Sequence, residues 1–280
     1  GAGNNDITTT TGADTIVSAG GDDVINAGAG LNTITAGDGA NTITTGADKD
    51  IITSGSGKDI ITADDGDNTI TAGDGDNTIT ATDGADDVTA GAGHDDINVG
   101  AGDNVVAAGA GNNTVTATTG ADYITSGAGN DIIDAGAGLN TIEAGDGVNQ
   151  ITTGDAKDII TSGTGADTII AGAGDNTITA GAGDNTITAT GGADSVTAGS
   201  GNDIINLGDG LNTVDGGDGV NQITTGADKD IITSGAGADT IIAGNGDNTI
   251  TSGGDADIIT AGTGDDLIDA GAGDDTVSAG

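Results

Sequence analysis

The apolar residues of this chain keep a strict nine-residue period. Ile7, Ile16, Ile25 and Ile34 open a series that runs to Ile268 and Val277, and all 31 of its positions are Ile or Val. We number each nine-residue phrase so that this residue stands at position eight. Its neighbours at positions seven and nine are mostly polar, as in Thr177-Ile178-Thr179. Polar–apolar–polar alternation is the period-two signature of a strand, and Ile and Thr are strand formers. Glycine dominates positions two and four, and Asp or Asn fills all 31 copies of position six, from Asn5 to Asp275. Both accept the unusual backbone angles of tight turns. The pattern therefore predicts short strands and tight turns alternating along the whole chain. A three-residue strand with one inward side chain cannot fold alone, but stacked on copies of itself it builds a continuous ladder.

Composition makes a conventional core implausible. Among 280 residues there are 57 glycines and one Tyr, and no Phe, Trp, Pro, Cys or Met. The aromatic side chains that dominate ordinary cores are missing. Forty-five acidic residues against four lysines and no arginine leave a net charge of −41. Such a balance favours disorder, yet a disordered chain has no reason to hold a register over 31 phrases. The charge disfavours nucleic acid and anionic membrane as partners and favours a cation. No apolar run approaches the roughly 20 residues of a membrane helix, so no membrane insertion is expected. The absence of cysteine removes disulfide and thiol chemistry.

The phrase resembles the RTX repeat, the hemolysin-type calcium-binding nonapeptide G-G-x-G-x-D-x-U-x, where U is a large apolar residue. Good matches are GGDGVNQIT at 216–224, AGTGDDLID at 261–269 and AGAGDDTVS at 270–278, and the resemblance covers the whole chain. It implies an all-β fold, a parallel β-roll or β-solenoid of 31 nonapeptides with two phrases per 18-residue turn, continuous over 1–280 with no separate domain. It implies Ca2+ as cofactor at multiple sites, bound between turns by backbone carbonyls and the position-six aspartates. Those are Asp14, Asp23, Asp50, Asp59, Asp86, Asp95, Asp122, Asp131, Asp158, Asp167, Asp194, Asp203, Asp230, Asp239, Asp257, Asp266 and Asp275. It also implies a secreted or cell-surface protein of the toxin, protease, lipase, adhesin or surface-layer kind. The chain departs from the family pattern at position one, which is usually Ala, Thr or Ser instead of Gly.

Position six departs too, since 14 of its copies are Asn and 17 are Asp. The mixture is ordered. Asp14 and Asp23 are followed by Asn32 and Asn41, then Asp50 and Asp59, and the pairs alternate up to Asn248. This is a second period of 36 residues, and Lys49, Lys157 and Lys229 keep it. With two phrases per turn, each column of position six reads Asp, Asn, Asp, Asn. Two bare carboxylates about 4.8 Å apart repel by roughly 3 kcal/mol at an effective dielectric of about 20, and alternation doubles that spacing. Duplication of a four-phrase unit would also produce the pattern. A 36-residue turn, stacking Asp on Asp, is the alternative geometry.

Calcium takes about six to eight oxygens. An Asp above, an Asn below and the glycine-rich backbone supply them. Asp38, Asp74, Asp76, Asp184 and Asp218, at positions three and five, are expected mainly to solvate the turns. Catalytic signatures are absent: the one histidine, His94, stands at a variable turn position, and Ser54 and Ser126 open their phrases with no base beside them. Tyr123 reads as a surface residue at position seven. Outward threonine pairs such as Thr33/Thr35 and Thr186/Thr188 resemble ice-binding arrays, but they fall on both faces and Ile51, Asp96, Val105 and Glu143 interrupt them. The expected function is an extracellular, calcium-set structural repeat region: a stalk, filament or surface layer that stiffens on Ca2+ and self-associates end to end or laterally. About 15 turns at about 4.8 Å give a length on the order of 75 Å. The alternative is the calcium-binding tail of a secreted toxin or enzyme.

Overall fold

A computed structural model describes all residues, 1–280, and contains strands and turns but no helix. The chain forms two compact units, Gly1–Ala144 and Gly145–Gly280. Both are wound in the same way. The first unit carries sixteen strands, from Asp6–Thr8 to Thr141–Glu143, and the second fifteen, from Gln150–Thr152 to Thr276–Ala279. Within each unit, alternate strands pair in parallel to make two sheets. The register is 18 residues throughout: Ile25 pairs with Ile43 and Ile43 with Ile61, and in the second unit Ile169 pairs with Ile187 and Ile187 with Ile205. Two phrases therefore make one turn, and the 36-residue turn is excluded. Each unit is a stacked ladder of turns, the architecture of a parallel β-solenoid.

The inward face is wider than the sequence pattern suggested. Position eight points in, as expected, but so do its second neighbours at positions six and one. In the stretch from Asp23 to Ala27, Asp23, Ile25 and Ala27 are buried while Val24 and Asn26 are exposed. Each phrase thus contributes an Asx, an aliphatic and a small residue to the interior. Alanine and serine at position one fit because the coil is narrow, and larger Val99 and Leu207 are accommodated singly. Outside, position seven leaves isoleucines such as Ile60, Ile132, Ile204 and Ile231 exposed.

The turns close through backbone geometry. The position-four amide donates to a position-three carbonyl of the following turn, as from Gly57 to Asp74 (2.8 Å) and from Gly183 to Ser200 (2.7 Å). The position-seven amide reaches back to the previous turn, as from Thr42 to Asp23 and from Thr186 to Asp167, both 2.8 Å. Positions two and four turn the chain with positive φ, for example 84° at Gly181 and 137° at Gly183. A Cβ at Gly183 would also run into the carbonyl of Gly165 one turn below. Gly183→Ala is therefore expected to cost about 1–3 kcal/mol for the forced left-handed angle alone, with the steric overlap adding to it. A urea denaturation midpoint measured in saturating calcium tests this, against the outward substitution Thr186→Ser as control.

Candidate metal centre

Position six forms a ladder of its own inside each unit. In the first unit one column runs Asp14, Asn32, Asp50, Asn68, Asp86, Asn104 and Asp122, each residue 18 after the last. The backbone N–H of each residue donates to the side-chain Oδ1 of the residue one turn on. Asp14 donates to Asn32 (3.2 Å), Asn32 to Asp50 (2.8 Å), Asp50 to Asn68 (2.9 Å) and Asn68 to Asp86 (2.9 Å). The second unit repeats this with Asn176 donating to Asp194 (2.9 Å) and Asp194 to Asn212 (3.1 Å). Aspartates along a column are thus separated by an asparagine rung, as the two periods imply. The exception is Asp239, Asp257 and Asp275, which follow one another directly, at 2.9 and 3.0 Å. The asparagine oxygen, expected to be free as a ligand, is taken up by this ladder.

The second atom of each side chain behaves differently in the two residues. Asparagine Nδ2 donates to carbonyls of its own turn, at positions two and four. Asn32 reaches Gly28 (3.2 Å) and Gly30 (2.7 Å), Asn77 reaches Gly73 (3.1 Å) and Gly75 (2.9 Å), and Asn212 reaches Gly208 (3.2 Å) and Gly210 (3.1 Å). Aspartate has only a second oxygen there. Oδ2 of Asp50, Asp59, Asp86, Asp95, Asp122, Asp194, Asp203, Asp230 and Asp239 is buried and has no hydrogen-bond donor. Asp14, Asp23, Asp167, Asp257 and Asp266 share this arrangement. A buried acceptor without a donor costs about 1–3 kcal/mol, more when charged, so a folded turn of this kind calls for a positive partner.

Burial leaves its mark on the acids. It raises the carboxyl pKa of Asp86, Asp122 and Asp194 above the ordinary 3.8, against the lowering effect of the asparagine N–H one turn back. Asp50, Asp59, Asp95, Asp203, Asp230 and Asp239 shift upward for the same first reason. Asp23 goes the other way: burial pushes it up, but hydrogen bonds from Ser18 and Asn5 and the nearby N-terminal ammonium outweigh that.

These oxygens fit calcium, a hard cation that takes carboxylate and carbonyl ligands together. No three acidic or histidine side chains converge, so a calcium held here would take one spare carboxylate oxygen from an aspartate and draw its other ligands from backbone carbonyls. A further oxygen was not foreseen. Position one, five residues before an inward aspartate, is often Ser or Thr. The Ser54 hydroxyl donates to the Ala72 carbonyl (2.8 Å) and Ser162 to Ala180 (2.8 Å). Ser54 also lies within reach of Asp59 and lowers its pKa when its single proton turns that way. Thr153 is buried at position one with a hydroxyl that meets no partner. The signal was present in the sequence, as the spacing of hydroxyls from aspartates.

The outer acids have a different task. Asp38 accepts from the N–H and hydroxyl of Ser56 (2.8 and 2.9 Å), and Asp74, Asp184 and Asp218 accept from Ala92, Asn202 and Ala236 (3.0, 2.7 and 3.2 Å). They cap turn amides one coil on, in addition to facing solvent. His94 joins this outer ladder: its backbone N–H donates to Asp76 Oδ1 (2.9 Å) and its ring Nδ1 accepts from the backbone N–H of Asn112 (2.8 Å). A ring nitrogen engaged in this way does for the turn what an Asx oxygen does elsewhere. Tyr123 is at the surface, as expected, with its hydroxyl donating to Glu143 (3.1 Å).

Parallel strands of one inward aliphatic, glycine-built turns and an interior row of carboxylates define a calcium-type β-roll. The chain matches the RTX calcium-binding nonapeptide repeat in overlapping segments from residues 1–34 to 251–280, and it belongs to that family. Its cofactor is accordingly Ca2+, at multiple sites. No curated protein matches the chain.

Proposed function

We propose that this chain is an extracellular structural repeat region, of the stalk, filament or surface-layer kind, which calcium folds and stiffens. The 17 position-six aspartates named above are its calcium ligands, and the same phrase over 1–280 makes it a single repeat region with no separate domain. One observation carries the reading. Buried carboxylate oxygens lack donors at the point where the asparagine rungs have their own. Calcium supplies the missing charge without a catalytic step, and the lone His94 is spent on a turn hydrogen bond. A compartment rich in calcium suits such sites, because extracellular modules commonly work at about 10⁻⁴–10⁻³ M. No helix is long and apolar enough to cross a membrane. Outward isoleucines at position seven, including Ile60, Ile132 and Ile231, favour self-association.

Far-UV circular dichroism in EDTA, followed by calcium titration with magnesium as control, tests the reading. Strand signal is expected to appear cooperatively with calcium only. Magnesium should fail because it demands near-ideal octahedral geometry and sheds water reluctantly. A full β signal in EDTA at neutral pH, unchanged by calcium, would overturn the calcium role.

A further inference from the structure

Asparagine and aspartate have the same shape, so the ladder offers a controlled comparison within one molecule. In both residues Oδ1 accepts the backbone N–H from the turn before, as at Asn212 (3.1 Å) and Asp194 (2.9 Å). Only the second atom differs. In the asparagine rungs it is a donor, and it closes the turn on its own carbonyls: Asn41 on Gly37 and Gly39 (both 3.1 Å), Asn176 on Gly174 (3.0 Å), Asn185 on Gly183 (3.0 Å). In aspartate rungs such as Asp50, Asp86, Asp194 and Asp230 it is an acceptor, buried and without a donor. The two phrases of a turn agree in kind up to Asn248, as in Asp50 with Asp59 and Asn68 with Asn77. Whole turns are therefore self-closed or open.

Position one points the same way independently. Ten aspartate phrases open with Ser or Thr: Thr9, Ser18, Thr45, Ser54, Ser126, Thr153, Ser162, Thr225, Ser234 and Ser252. None of the 13 asparagine phrases that have a position one does so; they open with Ala, Val, Leu or Gly. A buried hydroxyl adds an oxygen beside a carboxylate that lacks a positive partner. It would add nothing beside an amide already satisfied. Packing alone gives no reason for this segregation, since Ala also serves in aspartate phrases such as those of Asp86 and Asp194.

We propose that calcium occupies only the aspartate turns, and that the asparagine amide stands in for the metal in the turns between. The protein is then a roll of alternating metal-set and self-set turns, and its calcium capacity follows the 17 aspartates, not the 31 phrases. From Asp23 to Asp230, each aspartate rung has an uncharged asparagine rung on either side of it in its column. This inference rests on reading the aspartate turns as calcium sites.

The test uses the full chain and two double variants that each convert one turn of the second unit. D194N/D203N turns an aspartate turn into an asparagine turn, and N176D/N185D does the reverse. Calcium bound per chain is measured by equilibrium dialysis, and the urea midpoint is measured at one low, fixed free-calcium concentration at which the parent is folded, and in EDTA if the parent proves to fold there. D194N/D203N is expected to bind less calcium than the parent and to unfold at higher urea. N176D/N185D is expected to bind more calcium and to unfold at lower urea. Calcium binding that is the same in D194N/D203N as in the parent overturns the proposal while leaving the calcium reading intact. If N176D/N185D fails to fold in calcium, the D194N/D203N result decides alone. If the parent binds no calcium, the calcium reading itself falls. The EDTA midpoints then still decide the closure: a rise in D194N/D203N upholds it, and no change overturns it.

Discussion

Acidifying the calcium-free protein is expected to restore the strand signal that calcium restores at neutral pH. The reason lies in the spare oxygen of each inward aspartate. Once protonated, that oxygen becomes an O–H donor in the place where asparagine carries N–H, and it can close the turn on the same carbonyls. Burial already favours the neutral form, holding the carboxyls of Asp50, Asp59, Asp86, Asp95, Asp122, Asp194, Asp203, Asp230 and Asp239 above the ordinary 3.8. A group whose folded pKa is raised contributes stability that is fully present below its unfolded value. That stability is lost as pH climbs through the folded value. In EDTA, stability should therefore rise as pH falls from neutrality toward 3.8. In calcium the slope reverses, because the metal needs the ionised form and protons compete with it. A pair of pH titrations, one in EDTA and one in saturating calcium, followed by far-UV circular dichroism, should give curves that converge at acid pH. EDTA samples that stay unfolded at every pH would count against the closure by a proton.

Relief of general self-repulsion also accompanies acidification, and the net charge of −41 makes that a serious rival. The two differ in location. Outer acids such as Asp38 and Asp146 have their carboxyls held below the ordinary value by hydrogen bonds from Ser56 and Thr164. Their protonation breaks turn contacts and works against folding at the acid end. A stability maximum, instead of a monotonic rise, is the combined result.

Much of this molecule was legible before any coordinates, and the reason is its one-dimensional construction. A repeat that contacts only its neighbours writes its register directly into the period, so Ile25 over Ile43 over Ile61 follows from spacing. The alternation of Asp and Asn along a column followed in the same way. Two things were hidden. Inward positions six and one carry polar or small residues, and a hydrophobic pattern does not mark them as interior; Ser126 and Asn68 look like turn residues and are buried. The roles of equivalent atoms were hidden as well. Sequence shows that Asn32 stands above Asp14, but not that its oxygen is spent on that residue's N–H while its nitrogen covers Gly28 and Gly30. Only the geometry turns asparagine from a weak ligand into a substitute for one.

The largest effect should come from changing all 17 position-six aspartates to asparagine. The variant keeps the shape of every rung and the Oδ1 ladder, and it gives each open turn the Nδ2 donor that its neighbours already have. It retains 45 − 17 = 28 acidic residues, so its net charge is −41 + 17 = −24. A substantial negative charge therefore remains, and any gain in stability is not simple neutrality. A domain's net stability is about 5–15 kcal/mol, and each buried acceptor without a donor costs about 1–3 kcal/mol. Removing more than a handful of such oxygens is enough to carry a calcium-dependent chain to one that folds unaided. The expected product is strand-rich in EDTA, with a thermal midpoint that calcium does not shift and a nearly flat response between neutral and mildly acid pH. The parent, measured in parallel, should lack strand signal in EDTA and show a thermal transition only with calcium. A variant that stays unfolded in EDTA would mean that the metal supplies something an amide cannot, such as its charge acting across turns. The asparagine rungs of the natural protein would then depend on the calcium in the turns beside them.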